Sequence, residues 1–272
     1  MARNDWQIAW YDTVAETYDR LAVPHVFTQP AKDLVALLKL RPGARVLDVG
    51  SGTGVAAFLA LQSAGPGAAV VALDASPGML RLARAKGLTR LVVGAVPGLP
   101  LPDAVFDGVL ANFVLSHIPS YQTALSDMVR VLRPGGRLGV TAWGPGQSES
   151  RKLWQATADS FVSKEQLSRG LRLALPWEEW FSDAGNLEQA MRQAGLESIE
   201  VHHREYRTSM TVNDFLSMRE VTVQARLMKQ LLETPQWERF SEKLTKEFHS
   251  RRRGLVQDTR DAYLVVGGKS DA

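Results

Sequence analysis

An alternation of short apolar runs with helical stretches between residues 45 and 143 constrains the fold more than any other feature of the sequence. Strands are predicted over 45–49, 68–73, 91–93, 106–113 and 137–143. Helices are predicted between them, over about 55–63, 79–86 and 121–132. Regular alternation of this kind is typical of right-handed βαβ units, so the sequence predicts an α/β fold with a parallel sheet.

The flanking regions are mostly helical. Two helices are predicted before the alternating region, over 5–21 and 30–40, and a mostly helical stretch runs from 144 to 185. The remainder is predicted as a helix over 186–194, a strand over 197–208, long helices over 212–249 and a final strand over 262–266.

Composition excludes several classes of site. The 272 residues include no cysteine, which rules out disulfides and thiolate chemistry, and no His/Asp cluster at metal-ligand spacing is present, so no metal is expected. A formal charge of +3 does not by itself indicate nucleic acid. We interpret the basic run Arg251-Arg252-Arg253 as a solvated helix end rather than a phosphate site. Without a recognisable signal peptide or membrane span, we expect a soluble, cytoplasmic protein.

A glycine loop follows the first strand, in the run Val46-Leu47-Asp48-Val49-Gly50-Ser51-Gly52-Thr53-Gly54. Such a loop lets the backbone approach a ligand at a helix N-terminus. Its spacing differs from the dinucleotide fingerprint, because Val55 stands where the third glycine would be, and no Gly-Lys-Ser/Thr of a P-loop follows. Asp48 suits a cationic amino group or an ordered water better than a pyrophosphate.

A second carboxylate, Asp74, ends the next strand about 20 residues later, where it can grip two ribose hydroxyls. The alternative is a structural role as a cap for Ser76-Pro77. An adenosine that carries a positively charged tail would satisfy both acids, and S-adenosylmethionine is such a molecule.

The chain resembles the class I S-adenosylmethionine-dependent methyltransferases, especially the bacterial small-molecule group that includes the ubiquinone and menaquinone biosynthesis enzymes. The resemblance covers Trp10 to Trp143. It rests on the glycine loop, on Val71-Ala72-Leu73-Asp74-Ala75-Ser76-Pro77-Gly78-Met79, on Leu99-Pro100-Leu101-Pro102-Asp103 with Phe106-Asp107, and on Leu132-Arg133-Pro134-Gly135-Gly136. It implies a Rossmann-like, mostly parallel sheet of seven strands with helices on both faces and the last strand antiparallel.

The resemblance also implies roles for individual residues. Tyr18 would close over the methionine end of the cofactor, Asn112 would border that end, and Met79 would cover the adenine unless it is a core methionine. In one place the pattern fails, because the usual Gly-Asp-Ala is here Gly94-Ala95-Val96 and lacks the acid for the adenine amine. The predicted cofactor contacts are Tyr18, Asp48, Gly50, Ser51, Gly52, Gly54, Asp74, Ala75, Met79, Ala95, Val96 and Asn112.

The acceptor side is less well defined. His117, just past the fourth strand, is the candidate general base, and its alternative role is to cap the following helix. Five aromatic residues after the fifth strand suit either a core or an apolar acceptor pocket; they are Trp154, Phe161, Trp177, Trp180 and Phe181. We therefore expect one domain over 1–272, with N-terminal helices over 1–40, a cofactor-binding core over 41–143, and a helical cover over 144–185 and 211–250.

Methyl transfer to a small, apolar or aromatic metabolite is the function that these features favour. A nicotinamide oxidoreductase would need the longer glycine spacing. A methyltransferase acting on RNA or protein is an alternative, although no nucleic-acid-binding face is evident. A non-catalytic S-adenosylmethionine-binding protein is another, because a fold does not guarantee activity.

Overall fold

A single seven-stranded sheet organises the part of the chain that the computed structural model describes, residues 5–251 and 254–271. Arg252 and Arg253 of the basic run lie outside these ranges. The strands are β1 (Arg45–Val49), β2 (Ala69–Asp74), β3 (Leu91–Val93), β4 (Phe106–Asn112), β5 (Leu132–Trp143), β6 (Leu196–Met210) and β7 (Val256–Lys269). Their order is β3-β2-β1-β4-β5-β7-β6. Strands β1 to β5 pair in parallel, and β7 runs antiparallel to β5 and β6, which confirms the expected fold class.

Helices connect and cover the strands. Within the described residues they are α1 (Asp5–Thr17), α2 (Thr28–Leu38), α3 (Val55–Ala64), α4 (Pro77–Ala85), α5 (Tyr121–Val131), α6 (Glu149–Ala158), α7 (Lys164–Ala174), α8 (Glu178–Phe181), α9 (Ala184–Gln193), α10 (Val212–Glu220), α11 (Val223–Leu231) and α12 (Thr234–Arg251). A π-helical segment, Tyr18–Phe27, joins α1 to α2, and a short 3₁₀ turn, Leu115–His117, precedes α5. None of these helices is long and apolar enough to cross a membrane.

The sheet is buried on both faces. Successive residues of β1 enter opposite cores: Leu47 lies in a first core shared with α5 and α9, and Val46 lies in a second core shared with α2 and α3. The uninterrupted apolar run of the sequence reflects this double burial, which is typical of parallel strands covered by helices. The loops after β1, β2 and β4 consequently meet at the carboxyl edge of the sheet.

Three predicted boundaries are wrong. The first helix ends at Thr17 instead of Leu21, because the chain widens into the π-helical segment. Strand β5 begins at Leu132, since Phe106 pairs with Leu132 before the register shifts to Gly108 with Arg137, and the expected turn is a bulge within the strand. Strand β7 starts six residues before Ala262 and continues to Lys269, because its first residues, which include Asp258 and Arg260, pair with β6 alone, beyond the end of β5.

The aromatic residues of the predicted cover divide between two cores. Trp154 and Phe161 pack with Phe240 in a third core, built mainly from α6, α10, α11 and α12. Three others contact Tyr121 of α5 and belong to the first core beside the sheet; they are Trp177, Trp180 and Phe181. Only the first group thus belongs to a core that is built mainly from the cover helices.

Candidate functional site

The glycine loop turns sharply between β1 and α3. Gly50, Gly52 and Gly54 all have positive φ, of 66°, 54° and 92°. A Cβ on Gly50 would overlap the side chain of Val114, and one on Gly54 would lie 2.5 Å from Leu88 Cδ1. A Cβ on Gly52 would meet nothing nearer than Tyr18 Cε1, at 3.8 Å. Gly50 and Gly54 thus allow the loop to pack closely against neighbouring side chains, whereas the position of a Cβ on Gly52 is unobstructed.

Asp74 joins the glycine loop to the loop after β2. The Gly52 N–H donates to Asp74 Oδ2 at 2.7 Å, and the Ser76 N–H donates to Asp74 Oδ1 at 2.8 Å. Burial raises the pKa of Asp74, and the hydrogen bonds from the backbone N–H groups of Ser76 and Gly52 oppose that rise. Ser76 itself caps α4, since its side chain accepts the Met79 N–H. Asp74 therefore orders both loops and does not replace the cap.

Asp48 is fully buried, and its two carboxyl oxygens form no hydrogen bond of normal length and angle among the described residues, although the Ala57 N–H lies near them. Burial raises its pKa to about 8; the Ala57 backbone N–H lowers it, and the charge of Asp74 raises it. The nearby Ser51 Oγ also lacks a partner. Buried polar atoms without partners are costly, and they mark places where a ligand can supply the missing bonds.

A small cavity of about 20 Å³ lies against the glycine loop. Its lining comprises Tyr18, Val23, Phe27, Asp48, Gly50, Ser51, Thr53, Val55, Ala56 and Asn112. The Asn112 carboxamide accepts a hydrogen bond of 2.9 Å from the Thr141 hydroxyl, which fixes its orientation. Pockets for small molecules usually measure roughly 300–1,000 Å³, so the walls must move apart to admit a cofactor.

The N-terminal segment closes this cavity through two aspartates that the sequence analysis missed. Asp12 accepts hydrogen bonds from the Gly78 N–H at 2.7 Å and from the Ser76 hydroxyl at 2.5 Å. Asp19 accepts the Thr53 hydroxyl and forms an ion pair of 2.6 Å with Lys86. The place of Asp19 next to Tyr18 was a usable signal, whereas nothing in the sequence marked Asp12. These contacts hold α1 and the π-helical segment over the loops.

Comparison with known proteins places the chain in a family. The family described as "Methyltransferase domain" matches residues 47–140. Demethylmenaquinone methyltransferase of Symbiobacterium thermophilum is 36% identical over 137 residues, 47% of this chain and 55% of that protein. Nocamycin O-methyltransferase of Saccharothrix syringae is 31% identical over 211 residues, 72% of this chain and 74% of that protein. The chain belongs to the class I S-adenosylmethionine-dependent methyltransferases.

The fold of this methyltransferase is also found among solved structures. The YcgJ protein of Bacillus subtilis superposes with a TM-score of 0.57 at 18% identity, covering 90% of this chain and 100% of that one. The chain spans about half the length of several curated relatives that it matches, among them the demethylmenaquinone methyltransferase. S-adenosylmethionine is the cofactor of the family and of this chain.

The residues at the carboxyl edge fit this cofactor. Asp48 and Ser51 offer partnerless buried oxygens, and Gly52 leaves room beside the loop. The Val96 N–H has no hydrogen-bond partner among the described residues, and Ala95 is exposed. Met79 is only 2% exposed on α4, and Ala75 lies between Asp74 and the cap of that helix. The structure thus brings the predicted cofactor contacts to one edge, and their individual roles stay predictions.

His117 lies beside the N-terminal segment and does not cap the following helix. It ends the 3₁₀ turn, and Ser120 occupies the N-cap position of α5, so the capping interpretation is wrong. Its ring approaches Tyr11 edge-on at 6.0 Å, and Tyr11 in turn contacts Tyr18 at 6.3 Å. Burial lowers the pKa of His117 to about 4, so its imidazole is neutral near pH 7.

A second acid, Glu178, reaches the same region from α8. Burial raises the pKa of Glu178, while a hydrogen bond with Ser116 and the charge of Arg151 oppose the rise. Its charge also contributes to the raised pKa of Tyr11, after burial and Asp74. No sequence motif marks Glu178, because it lies in an aromatic stretch far from the glycine loop and the other family motifs. Among the described residues, no group of three or more His, Asp or Glu side chains could hold a metal ion.

Proposed function

We propose that the protein transfers a methyl group from S-adenosylmethionine to a small-molecule acceptor. The observation that carries the proposal is the buried, partnerless Asp48 carboxylate beside Asp74, at the edge of the sheet where the glycine loop turns. Both relatives described above are named for small-molecule acceptors, demethylmenaquinone and nocamycin. No described feature favours an RNA or protein acceptor over these.

Each end of the cofactor has residues suited to it. Asp74 has lone pairs left beyond its two backbone bonds, and these would accept the ribose hydroxyls. Asp48 would face the cationic methionine end, together with Ser51 and Asn112. The Val96 N–H would donate to the adenine ring, and Met79 would pack against its face. The cofactor supplies a methyl group that its sulfonium charge already activates.

On the acceptor side, the chain itself would position the acceptor and exclude water from it. We propose that the N-terminal helices of 1–40, described from residue 5 onward, close one wall, and that 144–185 and 211–250 cover the acceptor above the core of 41–143. Alignment of the acceptor with the donor can supply much of the acceleration without a dedicated base. Where a proton must leave the acceptor, neutral His117 is free to take it, but a pKa near 4 makes it a weak base. Glu178 is the stronger candidate on these grounds, because burial raises its pKa.

Replacing Asp74 with alanine tests the cofactor site. We expect the affinity for S-adenosylhomocysteine to fall by ~1.5–3 kcal/mol, because hydrogen bonds to a charged acceptor are lost. Calorimetric titration of the parent with S-adenosylmethionine and with NAD, followed by a donor-turnover assay on small-molecule extracts, tests the function as a whole. Binding of NAD in preference to S-adenosylmethionine would contradict it.

Asp127→Ala is the matched control. Asp127 also accepts two backbone N–H bonds at a loop, from Gly98 at 2.8 Å and Leu99 at 2.6 Å, but it belongs to α5 and is not one of the cofactor contacts. Asp127→Ala therefore removes two comparable hydrogen bonds to a loop but removes no proposed contact with the cofactor. Equal affinities in the two variants would mean that Asp74 only orders its loops.

A further inference from the structure

Three arginines lie near one another where the start of α6 contacts β7. Arg151 lies on α6, Arg219 on α10 and Arg260 on β7. Asp258, which binds Arg260, also accepts the Ser148 hydroxyl at the start of α6, and the Arg219 guanidinium lies over Trp154 of the same helix. The charges of Arg151 and Arg260 accordingly help to lower the pKa of Arg219. We call the three arginines the arginine cluster. Burial is the largest cause of the lowered pKa of Arg219, and it also lowers the pKa of Arg151 to about 10.

Aromatic rings connect the cluster to the methyl-transfer site. The Arg260 guanidinium lies 5.4 Å from the centre of the Trp143 ring. Trp143 ends β5 and stacks on Phe113 at 3.8 Å, directly after Asn112 of the cavity wall. The Arg219 guanidinium lies 4.5 Å from the centre of the Trp154 ring. The cluster therefore lies between the end of β5 and the third core.

The positive charge of the cluster is incompletely paired. Asp258 is fully buried and accepts the Arg260 Nε–H at 2.8 Å, and Glu178 is the other carboxylate that acts on Arg151. Arg219 is 5% exposed and forms no ion pair among the described residues. Its Nη2 donates to the neutral Gln224, and its Nε has no partner. Asp258 favours the charged form of Arg219 but forms no ion pair with it, because it is already bound to Arg260. A buried cation that lacks a directly bound counter-ion is destabilising, so a site of this kind is suited to an anion.

We propose that the arginine cluster binds an anionic group, a carboxylate or a phosphate, of the methyl acceptor. The inference rests on the proposed function and specifies the acceptor as an acid. A guanidinium presents a planar fork of N–H donors that matches the oxygens of either group, and the free Arg219 Nε–H can complete such a pair. Trp143 and Trp154 would supply apolar walls for the rest of the molecule.

Calorimetry with three probes tests the inference, in the presence of saturating S-adenosylhomocysteine. Benzoate and phenyl phosphate are the anions, and benzyl alcohol is the neutral control of similar size. We expect at least one anion to bind at least about tenfold more tightly than the alcohol. Arg219→Gln should weaken that binding about ten- to a hundredfold, and Arg219→Lys, which keeps the charge, should weaken it less.

Two controls keep the outcomes distinct. Arg172→Gln, an exposed arginine at the end of α7, should leave binding of the anions unchanged. Affinity for S-adenosylhomocysteine should stay the same in Arg219→Gln, and this also shows that the variant is folded. If Arg219→Gln does not fold, Arg151→Gln provides the same comparison.

Each failure has its own signature. A parent protein that does not bind S-adenosylhomocysteine contradicts the proposed function. A parent that binds it but shows no preference for the anions, or binds neither of them, overturns the acidic acceptor alone. Loss of S-adenosylhomocysteine affinity in folded Arg219→Gln would assign the cluster to the carboxylate of the cofactor, and the inference would be wrong.

Discussion

The core over 41–143 and the helical cover differ in the sign of the charged groups that they bury without partners. Beside the glycine loop the buried ionisable group without a hydrogen-bond partner is the Asp48 carboxyl, which becomes charged as the pH approaches 8, whereas in the cover the Nε–H groups of Arg219 and Arg226 lack partners. An acidic wall is suited to a cationic ligand, and a basic wall is suited to an anionic ligand. The difference supports the proposal that the two regions recognise different molecules, the core a cationic donor and the cover an anionic acceptor.

Gly52→Val gives the largest expected effect, and it should damage the core while leaving the cover intact. A branched side chain at φ 54° would be strained and would fill the open space beside Tyr18. We expect affinity for S-adenosylhomocysteine to fall about a hundredfold or more, ~2.7 kcal/mol or more, by calorimetry. Binding of benzoate should change much less, because the arginine cluster lies on other elements.

Gly43→Val is the control for backbone strain. Gly43 also has a positive φ, of 76°, and its Cβ would meet only Pro66 O at 3.9 Å, in the turn before β1. The two variants should lose similar stability, but only Gly52→Val should lose affinity. An unimpaired Gly52→Val would show that the ligand does not approach the loop at this residue.

Asp48→Asn tests the buried acid of the core through the pH dependence of stability. The folded pKa of Asp48, about 8, lies above its ordinary value of 3.8, so its contribution to stability is complete below pH 3.8 and is lost as the pH rises toward 8. The variant should therefore exceed the parent in free energy of unfolding by an amount that grows over this range, on the order of a few kcal/mol at its upper end. Chemical denaturation of the ligand-free proteins at several pH values measures it.

Two further measurements identify the cause. Asp127→Asn should show the opposite dependence, because the pKa of Asp127 is lowered and its contribution is lost as the pH falls. Affinity for S-adenosylmethionine should rise with pH toward 8 in the parent and stay flat in Asp48→Asn, since only an ionised carboxylate attracts the cation. A parent affinity that does not change with pH would remove Asp48 from the methionine end.

The core could be predicted from the sequence because its determinants are local. The glycine spacing, Asp48 and Asp74 lie at strand ends whose order follows from βαβ handedness, so their meeting at one edge was foreseeable. The helical cover was predicted only as a region, and its arginine cluster was not predicted, since Arg219 and Trp154 are distant in sequence and nothing local links them. The start of β7 was predicted wrongly for the same reason. Its charged residues form a strand because they pair with β6, which is distant in sequence.

Hydrogen exchange tests whether the cover opens independently of the core. Helix α6, with Trp154, packs in the third core, whereas α9 packs with Trp180 and Phe181 against the sheet. We expect the amides of α6 to open at a free energy ~1–2 kcal/mol below those of α9 without ligand, and S-adenosylhomocysteine with benzoate to reduce the difference. Equal protection in both helices and in both states would mean that the cover is a fixed wall.

The smallest expected effect concerns the adenine end of the core, where this chain departs from its family. Ala95 is exposed, one residue past Gly94, whose N–H donates to Asp74 O at 3.0 Å, so the segment is held close to the ribose acid. Alanine cannot accept a bond from the adenine amine. Only the Val96 N–H and apolar packing would then contact the adenine ring. The parent should therefore bind analogues that are substituted at the adenine amine almost as tightly as the natural ligand.

Ala95→Asp restores an acceptor and has open space for it. We expect affinity for S-adenosylhomocysteine to improve by ~0.5–1 kcal/mol, near the lower end for a hydrogen bond because the new carboxylate stays solvated. The same variant should gain nothing for an analogue dimethylated at the adenine amine, which has no hydrogen to donate, so the two ligands form an internal control for any change in loop stability. An acid at this position also stands near Asp74, and repulsion between the two would act on both ligands alike. Weaker binding of the natural ligand together with unchanged binding of the analogue would mean that another group already accepts the amine, and the assignment of Ala95 to the adenine would be wrong.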